Sequence, residues 1–305
     1  MKRFFIPIIS LCLIAFTFTS CDPKEPEPEP EPEPKEEVFV SKTPENRNIL
    51  LEEFTGVNCG YCPDGHRISD QLHATYGDKF LAINIHAGDN SGGYFNTPEG
   101  TALNSAFKIS SYPSGVISRE LVNTGTKVVF GISRSSWGDI ASQIMAKPSY
   151  VNVAAKSTID SASRKLTCEV QAYFTDSSPV AAGLNFINIA IVQNNIWAKQ
   201  SGATNFYPEM YDAATQKYRH NHMLRTLITG VDGEAMPENK KETLYKKTFT
   251  YTIPEMISNE AVVLKDVEII VFVTQNKPST IPVPIQDASQ FVSVINVCKS
   301  ALTFK

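Results

Sequence analysis

The chain has 305 residues, enough for one large domain or two ordinary ones with real apolar cores. Its 42% apolar and 20% charged residues are those of a soluble globular protein, so class must come from local pattern. The formal charge of −4 brings no basic stripe and no nucleic-acid motif, which excludes nucleic acid as an expected partner.

That charge is unevenly spread. Lys2 and Arg3 open the chain, and eight acids fall between Asp22 and Glu37 against Lys24 and Lys35. After Lys2-Arg3, residues 4–18 form an apolar run broken by Pro7, and small polar residues lead into Cys21. The run is short for a membrane span and has the form of a secretory signal over 1–20. FTSC (18–21) resembles the lipobox of bacterial lipoproteins, with Phe18 where leucine is usual. The resemblance implies that Cys21 is the lipidated first residue of the mature protein, anchored stably by several acyl chains. Simple secretion, with Cys21 incidental, is the alternative.

DPKEPEPEPEPEPKEE follows, the core of a tether over 21–47. Its prolines favour polyproline II, which gives a spacer of roughly 50 Å. The acidic stretch also resembles the export signal of surface lipoproteins in some Gram-negative bacteria. A solvated spacer without address information is the other possibility.

Residues 48–147 alternate strand-like and helix-like segments. NILLEEF (48–54) and FLAINI (80–85) are apolar runs of the buried-strand kind. Between them Ile68, Leu72 and Tyr76 recur at i, i+4 and i+8, and Gly77 stands where a helix ends. Thr97, Pro98 and Glu99 predict the N-cap and first turn of a helix running to about Phe107. GVIS and KVVFGI read as short strands, and a helix is predicted over 135–145. Such alternation predicts an α/β layer with parallel pairing.

Beyond Pro148 the texture changes. YVNVAAKSTI, KLTCEVQAYF, NFINIAIVQ, LYKKTFTYTI, VEIIVFVTQ and QFVSVINVC read as strands with almost no helix between them. They predict an antiparallel β-sandwich of the Ig-like class over 148–305. Residues 197–242 interrupt them as an ordered excursion.

Four cysteines lie beyond the signal region: Cys59, Cys62, Cys168 and Cys298. An even count in an oxidising envelope invites pairing. Cys59-Gly60-Tyr61-Cys62 follows a buried strand and opens a helix. A cysteine there meets unsatisfied N–H groups and the positive end of the dipole, which stabilise thiolate. A partner three residues on lies one turn away, within bridging reach. The first cysteine can then attack a disulfide and the second resolve the mixed disulfide. A permanent staple of the helix start is the alternative. Zinc is disfavoured because no second close pair completes four ligands, so no metal and no cofactor are expected.

LEEFTGVNCGYC resembles the thioredoxin-fold strand–loop–helix signature. The resemblance implies that Glu53, six residues before Cys59, is a buried proton relay. SSYPSGVIS resembles the segment carrying that fold's cis-proline, which makes Pro113 the wall beside the cysteines and Tyr112 a backbone contact for substrate peptide. Tyr61, inside the motif, is a further substrate-side candidate. Asn58 and Tyr61 depart from the family's usual tryptophan and proline, and the inserted segment 87–104 is placed to cover the site. More narrowly, FTGVNCGYCP, YPSGVISR and YRHNHMLRTLITG (218–230) resemble the outer membrane protein 28 family of lipoproteins, in which a thioredoxin-like domain precedes a β-sandwich. That resemblance implies an outer-membrane lipoprotein with adhesive or receptor roles.

Cys168 and Cys298, on predicted sandwich strands, are candidates for a structural disulfide, or else two small buried hydrophobes. His220 and His222 would share a face if extended, which admits a metal, although local hydrogen bonding is the commoner use. His66, His73 and His86 lack metal spacing and a paired acid, and carry no assignment. Two functions remain: thiol–disulfide exchange on envelope or extracellular proteins and peptides, or a non-catalytic surface adhesin, receptor or scaffold with a structural disulfide.

Overall fold

The structure is a computed structural model that describes residues 37–280 and 292–305. The expected signal segment, the lipidation position Cys21 and most of the Pro/Glu tether lie outside the described residues.

β1 (Ile49–Thr55) and β2 (Phe80–His86) pair in parallel, and every residue of both is buried. Parallel neighbours need a crossover, which α1 (Cys62–Tyr76) supplies. α2 (Pro98–Ala106) follows, its N-cap Thr97 Oγ1 accepting from the Gly100 N–H at 3.0 Å. β3 (Ser114–Ile117) returns antiparallel to the other edge of β1. A short hairpin of β4 (Val122–Asn123) and β5 (Val128–Val129) leads to β6 (Gly131–Ile132), and α3 (Trp137–Met145) closes the segment.

The second half begins with two long strands, β7 (Val151–Asp160) and β8 (Lys165–Phe174), then β9 (Asn185–Gln193). The excursion is ordered. It contains β10 (Ile196–Ala198), α4 (Ala203–Phe206), β11 (Tyr211–Asp212), β12 (Lys217–His220), β13 (Met223–Leu227) and β14 (Glu234–Met236). β15 (Leu244–Thr252), the small hairpin β16 (Met256–Ile257) and β17 (Glu260–Ala261), β18 (Val267–Gln275), β19 (Val294–Lys299) and β20 (Ala301–Phe304) complete the chain.

Among the described residues one sheet runs β19-β18-β9-β13-β2-β1-β3-β6, with β14 also pairing β9. The two halves meet edge to edge where β13 lies parallel to β2. There the Asn84 N–H donates to the His222 carbonyl at 2.7 Å, and Asn84 Nδ2 donates to the Asn221 carbonyl at 2.9 Å. Alternation along each strand then feeds different layers. Ile49 and Leu51 pack with α1 and α3 around Trp137, whereas Leu50 and Phe54 pack with α2. On β9, Ile187, Ile189 and Ile191 face a second sheet of order β15-β8-β7-β20, while Ala190 and Val192 join the same cluster as Leu50 and Phe54.

Three features differ from the sequence expectation. The sandwich strands are not all antiparallel, because β20 pairs parallel to β7. One face of the sandwich is not a separate sheet but continues into the α/β half. The reason lies in β9 and β18, which carry apolar residues on both faces and are buried along almost their whole length. Residues 38–47, expected as the end of the tether, lie against the body: the Phe39 N–H donates to Gln171 Oε1 at 2.9 Å, the Arg47 N–H to the Lys147 carbonyl at 3.0 Å, and Val40 is buried.

Candidate functional site

β1 runs into a tight turn that ends at the head of α1. There Cys59 and Cys62 are joined as a disulfide, with Cα atoms 5.4 Å apart. Cys62 is the first residue of α1 and is fully buried, while Cys59, in the turn before it, is 5% exposed. Tyr61, between them, is 58% exposed, its ring 5.2 Å from that of Phe206 and beneath the Arg134 guanidinium at 5.3 Å.

Two segments cover this turn. From the inserted segment, Asn90 O accepts from the Asn58 N–H at 2.8 Å. From the second half, Gln200 Nε2 reaches the Cys59 carbonyl at 2.9 Å and the Gly56 carbonyl at 3.2 Å, and the Ser201 N–H donates to the Val57 carbonyl at 2.8 Å. Gly202, at φ 75°, lies so close that a Cβ there would sit 1.9 Å from the Gly60 carbonyl oxygen. Only glycine suits both that φ and that approach.

Behind the disulfide, Gly65 is the meeting point. A Cβ on Gly65 would lie 2.4 Å from Glu53 Oε1 and 3.1 Å from Pro113 Cβ, so the buried acid and the proline both pack on α1 one turn beyond Cys62. The Tyr112–Pro113 peptide is cis. Tyr112 turns its side chain away from the cysteines: its hydroxyl donates to Asn104 Oδ1 at 2.6 Å and its ring joins the α2 cluster. Glu53 is completely buried, and neither carboxyl oxygen has a hydrogen-bond partner among the described residues. Burial raises its pKa well above the ordinary value, with Asp70 adding to the shift and Arg134 opposing it.

Sequence reasoning missed the histidines around Glu53. His66 Nε2 stands 3.7 Å from Glu53 Oε1 and 3.0 Å from Thr55 Oγ1, and its Nδ1 stands 3.0 Å from the Tyr218 hydroxyl. His220 packs against His66, Tyr218, His86 and Phe95. All three rings are buried, and desolvation keeps them neutral. The pKa of His66 falls to about 3 and that of His220 to about 4, while that of His86 lies well below the ordinary value. One signal was available: His66 follows Cys62 by four residues and so shares its helix face. Tyr218 opens the segment 218–230 singled out above, but nothing in the sequence set it beside His66, which lies 152 residues away.

Two other candidates are placed differently from expectation. Cys168 and Cys298 form no bridge; both are free thiols packed with one core cluster. Desolvation raises both pKa values, that of Cys298 to about 12 with Cys168 adding to it, so each is a small protonated hydrophobe. His220 and His222 do not share a site. His222, at φ 53°, breaks the alternation and faces Asp70 at 3.9 Å and Glu268 at 3.8 Å on the other side. Among the described residues no group of three or more His, Cys, Asp or Glu side chains is placed to hold a metal ion.

A mixed α/β body with several sheets, and a disulfide at the head of a helix backed by a buried acid, defines the class. The family model described as "Outer membrane protein Omp28" matches residues 100–303, well over half the chain. The chain belongs to the Omp28 family and is an outer-membrane protein. No curated protein sequence matches it. Among solved structures, HBP35 of Porphyromonas gingivalis is similar at a TM-score of 0.61 and 16% identity, over 85% of this chain and 76% of that one. That likeness is one of fold. A protein from Agrobacterium tumefaciens gives 0.46 and 11%, over 84% and 95%. A domain of the outer membrane lipoprotein Omp28 from Porphyromonas gingivalis gives 0.30 and 14%, over 52% and 91%.

Proposed function

We propose that this protein is a lipid-anchored, thioredoxin-like disulfide exchanger of the outer membrane, acting on envelope or extracellular proteins and peptides. Cys21 carries the lipid, and the Pro/Glu tether holds the body away from the bilayer. The observation that carries the redox reading is the convergence at Gly65: a prolyl ring and a buried acid press on the helix one turn beyond Cys62. Membership of the family adds nothing to it, because the matched residues begin after the cysteines.

The pair as it stands is the oxidised form. A substrate thiolate attacks Cys59 Sγ, the bond to Cys62 breaks with its electron pair on Cys62, and Cys62 takes a proton. A second substrate thiolate then displaces Cys59, so the substrate is oxidised by two electrons and the pair is reduced. Cys59 is the exchanging sulfur, Cys62 the leaving sulfur in this direction and the resolving one in the reverse, Glu53 the proton relay and Pro113 the wall, with Tyr61 and the Tyr112 backbone on the substrate side.

A specific observation favours a second reading, a scaffold with a permanent staple: Gln200, Ser201 and Gly202 cover the motif, and Cys59 is only 5% exposed. Titrating the pair against glutathione separates the two. The exchanger predicts a potential above about −300 mV, and loss of turnover of a model disulfide in Cys59→Ser with the fold retained. A potential far below that, with Cys59 unreactive to alkylation after mild reduction, establishes the scaffold instead.

A further inference from the structure

We infer that His66 is the positioning residue through which Glu53 receives and releases its proton, and that Tyr218 of the second half completes this relay. The inference rests on the exchange chemistry proposed above and names what supplies its proton.

Glu53 cannot trade a proton with solvent directly, since it is wholly buried and both its oxygens lack hydrogen-bond partners among the described residues. Any proton it gives to Cys62 must be replaced by a neighbour. His66 Nε2, at 3.7 Å, is the near titratable group, and the imidazole continues beyond it to the Tyr218 hydroxyl at 3.0 Å. Thr55 Oγ1, at 3.0 Å from Nε2, fixes the ring between the two. A neutral imidazole suits this task, because it can lose a proton at one nitrogen while gaining one at the other. Tyr218 is buried in one cluster with Tyr207, which is half-buried and donates to Asp70 Oδ2 at 2.9 Å.

The step balances. As Cys62 leaves as a thiolate it takes the Glu53 proton. Glu53 takes the Nε2 proton of His66, Nδ1 takes the proton of Tyr218, and Tyr218, 1% exposed in the closed fold, regains its proton from solvent when the β11–β12 segment opens. The titratable and charged groups around this path are Asp64 and Asp70 on α1, His86 on β2, Arg134 before α3, Tyr207 beyond α4, Tyr218, Arg219 and His220 on β12, and His222 just beyond.

The test is the rate of reduction of Cys59–Cys62 by dithiothreitol from pH 5 to 9, in the full chain, for wild type, Glu53→Gln, His66→Gln and the double variant. His66→Gln is expected to slow the proton-dependent step about tenfold, less than the ~100-fold of a group acting on the sulfur itself, and to displace the bend in the pH profile. The double variant is expected to be no slower than Glu53→Gln alone. Where His66→Gln fails to fold, Tyr218→Phe deletes a single hydroxyl and is expected to displace the same bend. A wild-type profile in His66→Gln or Tyr218→Phe, or losses that multiply in the double variant, overturns this inference and leaves the exchange reading standing. A wild-type pair that dithiothreitol never reduces overturns both.

Discussion

Three buried histidines with lowered pKa values and one buried acid with a raised one make the stability of this protein depend on pH from both sides. Unfolded histidines take up protons near pH 6.5, whereas His66 and His220 in the fold resist until about 3 and about 4, and His86 resists likewise. The unfolded state therefore binds more protons, and stability falls as pH drops below 6.5. Glu53 has the opposite sign: its folded pKa is raised, so the folded state keeps a proton that the unfolded chain releases, and stability falls as pH rises above 4.5. His86 offers the cleanest test, because both its nitrogens lack hydrogen-bond partners among the described residues. His86→Leu is expected to raise stability and to flatten the acid limb by about 1.4 kcal/mol per pH unit. Thermal unfolding from pH 4 to 7 reads this, and an acid limb of unchanged slope rules out a neutral buried His86. At this scale Cys59, Cys62 and Pro113 were legible because their pattern is local. The ring cluster was not, since His220 arrives from the second half and no short-range rule brings it to Glu53.

Elements were easier to read than their neighbours. Thr97-Pro98-Glu99 marked α2, and Ile68, Leu72 and Tyr76 marked α1, because capping and a 3.6-residue period are properties of a short window. Nothing in such a window says that 200–202 will lie across 56–60. The chain meets itself there through Gln200 Nε2, the Ser201 N–H and the Gly202 backbone, a contact between polar groups that leaves no hydrophobic period behind. Its energetics are testable. Gln200→Ala removes donors to the Gly56 and Cys59 carbonyls, and losing about 1.4 kcal/mol of restraint multiplies the open population about tenfold. Gly202→Val, placed against the Gly60 carbonyl, forces the segment away by overlap. Both variants are expected to speed reduction by a bulky phosphine and the later alkylation of Cys59, with helix content unchanged by circular dichroism. Equal rates in wild type and both variants eliminate this segment as the barrier to the disulfide.

At the scale of the molecule, the change of texture at residue 148 was legible and the join between the halves was not, because the period of a strand does not name the strand beside it. β13 completes the edge of β2, and Leu50, Phe54, Leu81 and Ile83 share one apolar cluster with Ala190, Val192, Leu224 and Phe272. Arg119 fastens the same region. It is buried in a bidentate pair with Glu52 at 2.7 and 2.8 Å, and its guanidinium lies 5.1 Å from the Phe272 ring of the second half. Removing one partner of such a pair strands the other charge in the core, which costs about 3–5 kcal/mol. Arg119→Met is therefore expected to lower stability by that amount and to weaken both halves together. A shared sheet and cluster leave no plane along which residues 48–147 could part without exposing apolar surface. Denaturant unfolding of residues 38–305 is then expected to be a single transition, coincident by tryptophan fluorescence and far-UV circular dichroism. Residues 48–147 alone are expected to bind a hydrophobic dye and to lack near-UV dichroism. Two resolved transitions, or a well-packed isolated first half, would show that each half carries its own core and that the pairing of β13 with β2 is a contact between finished domains.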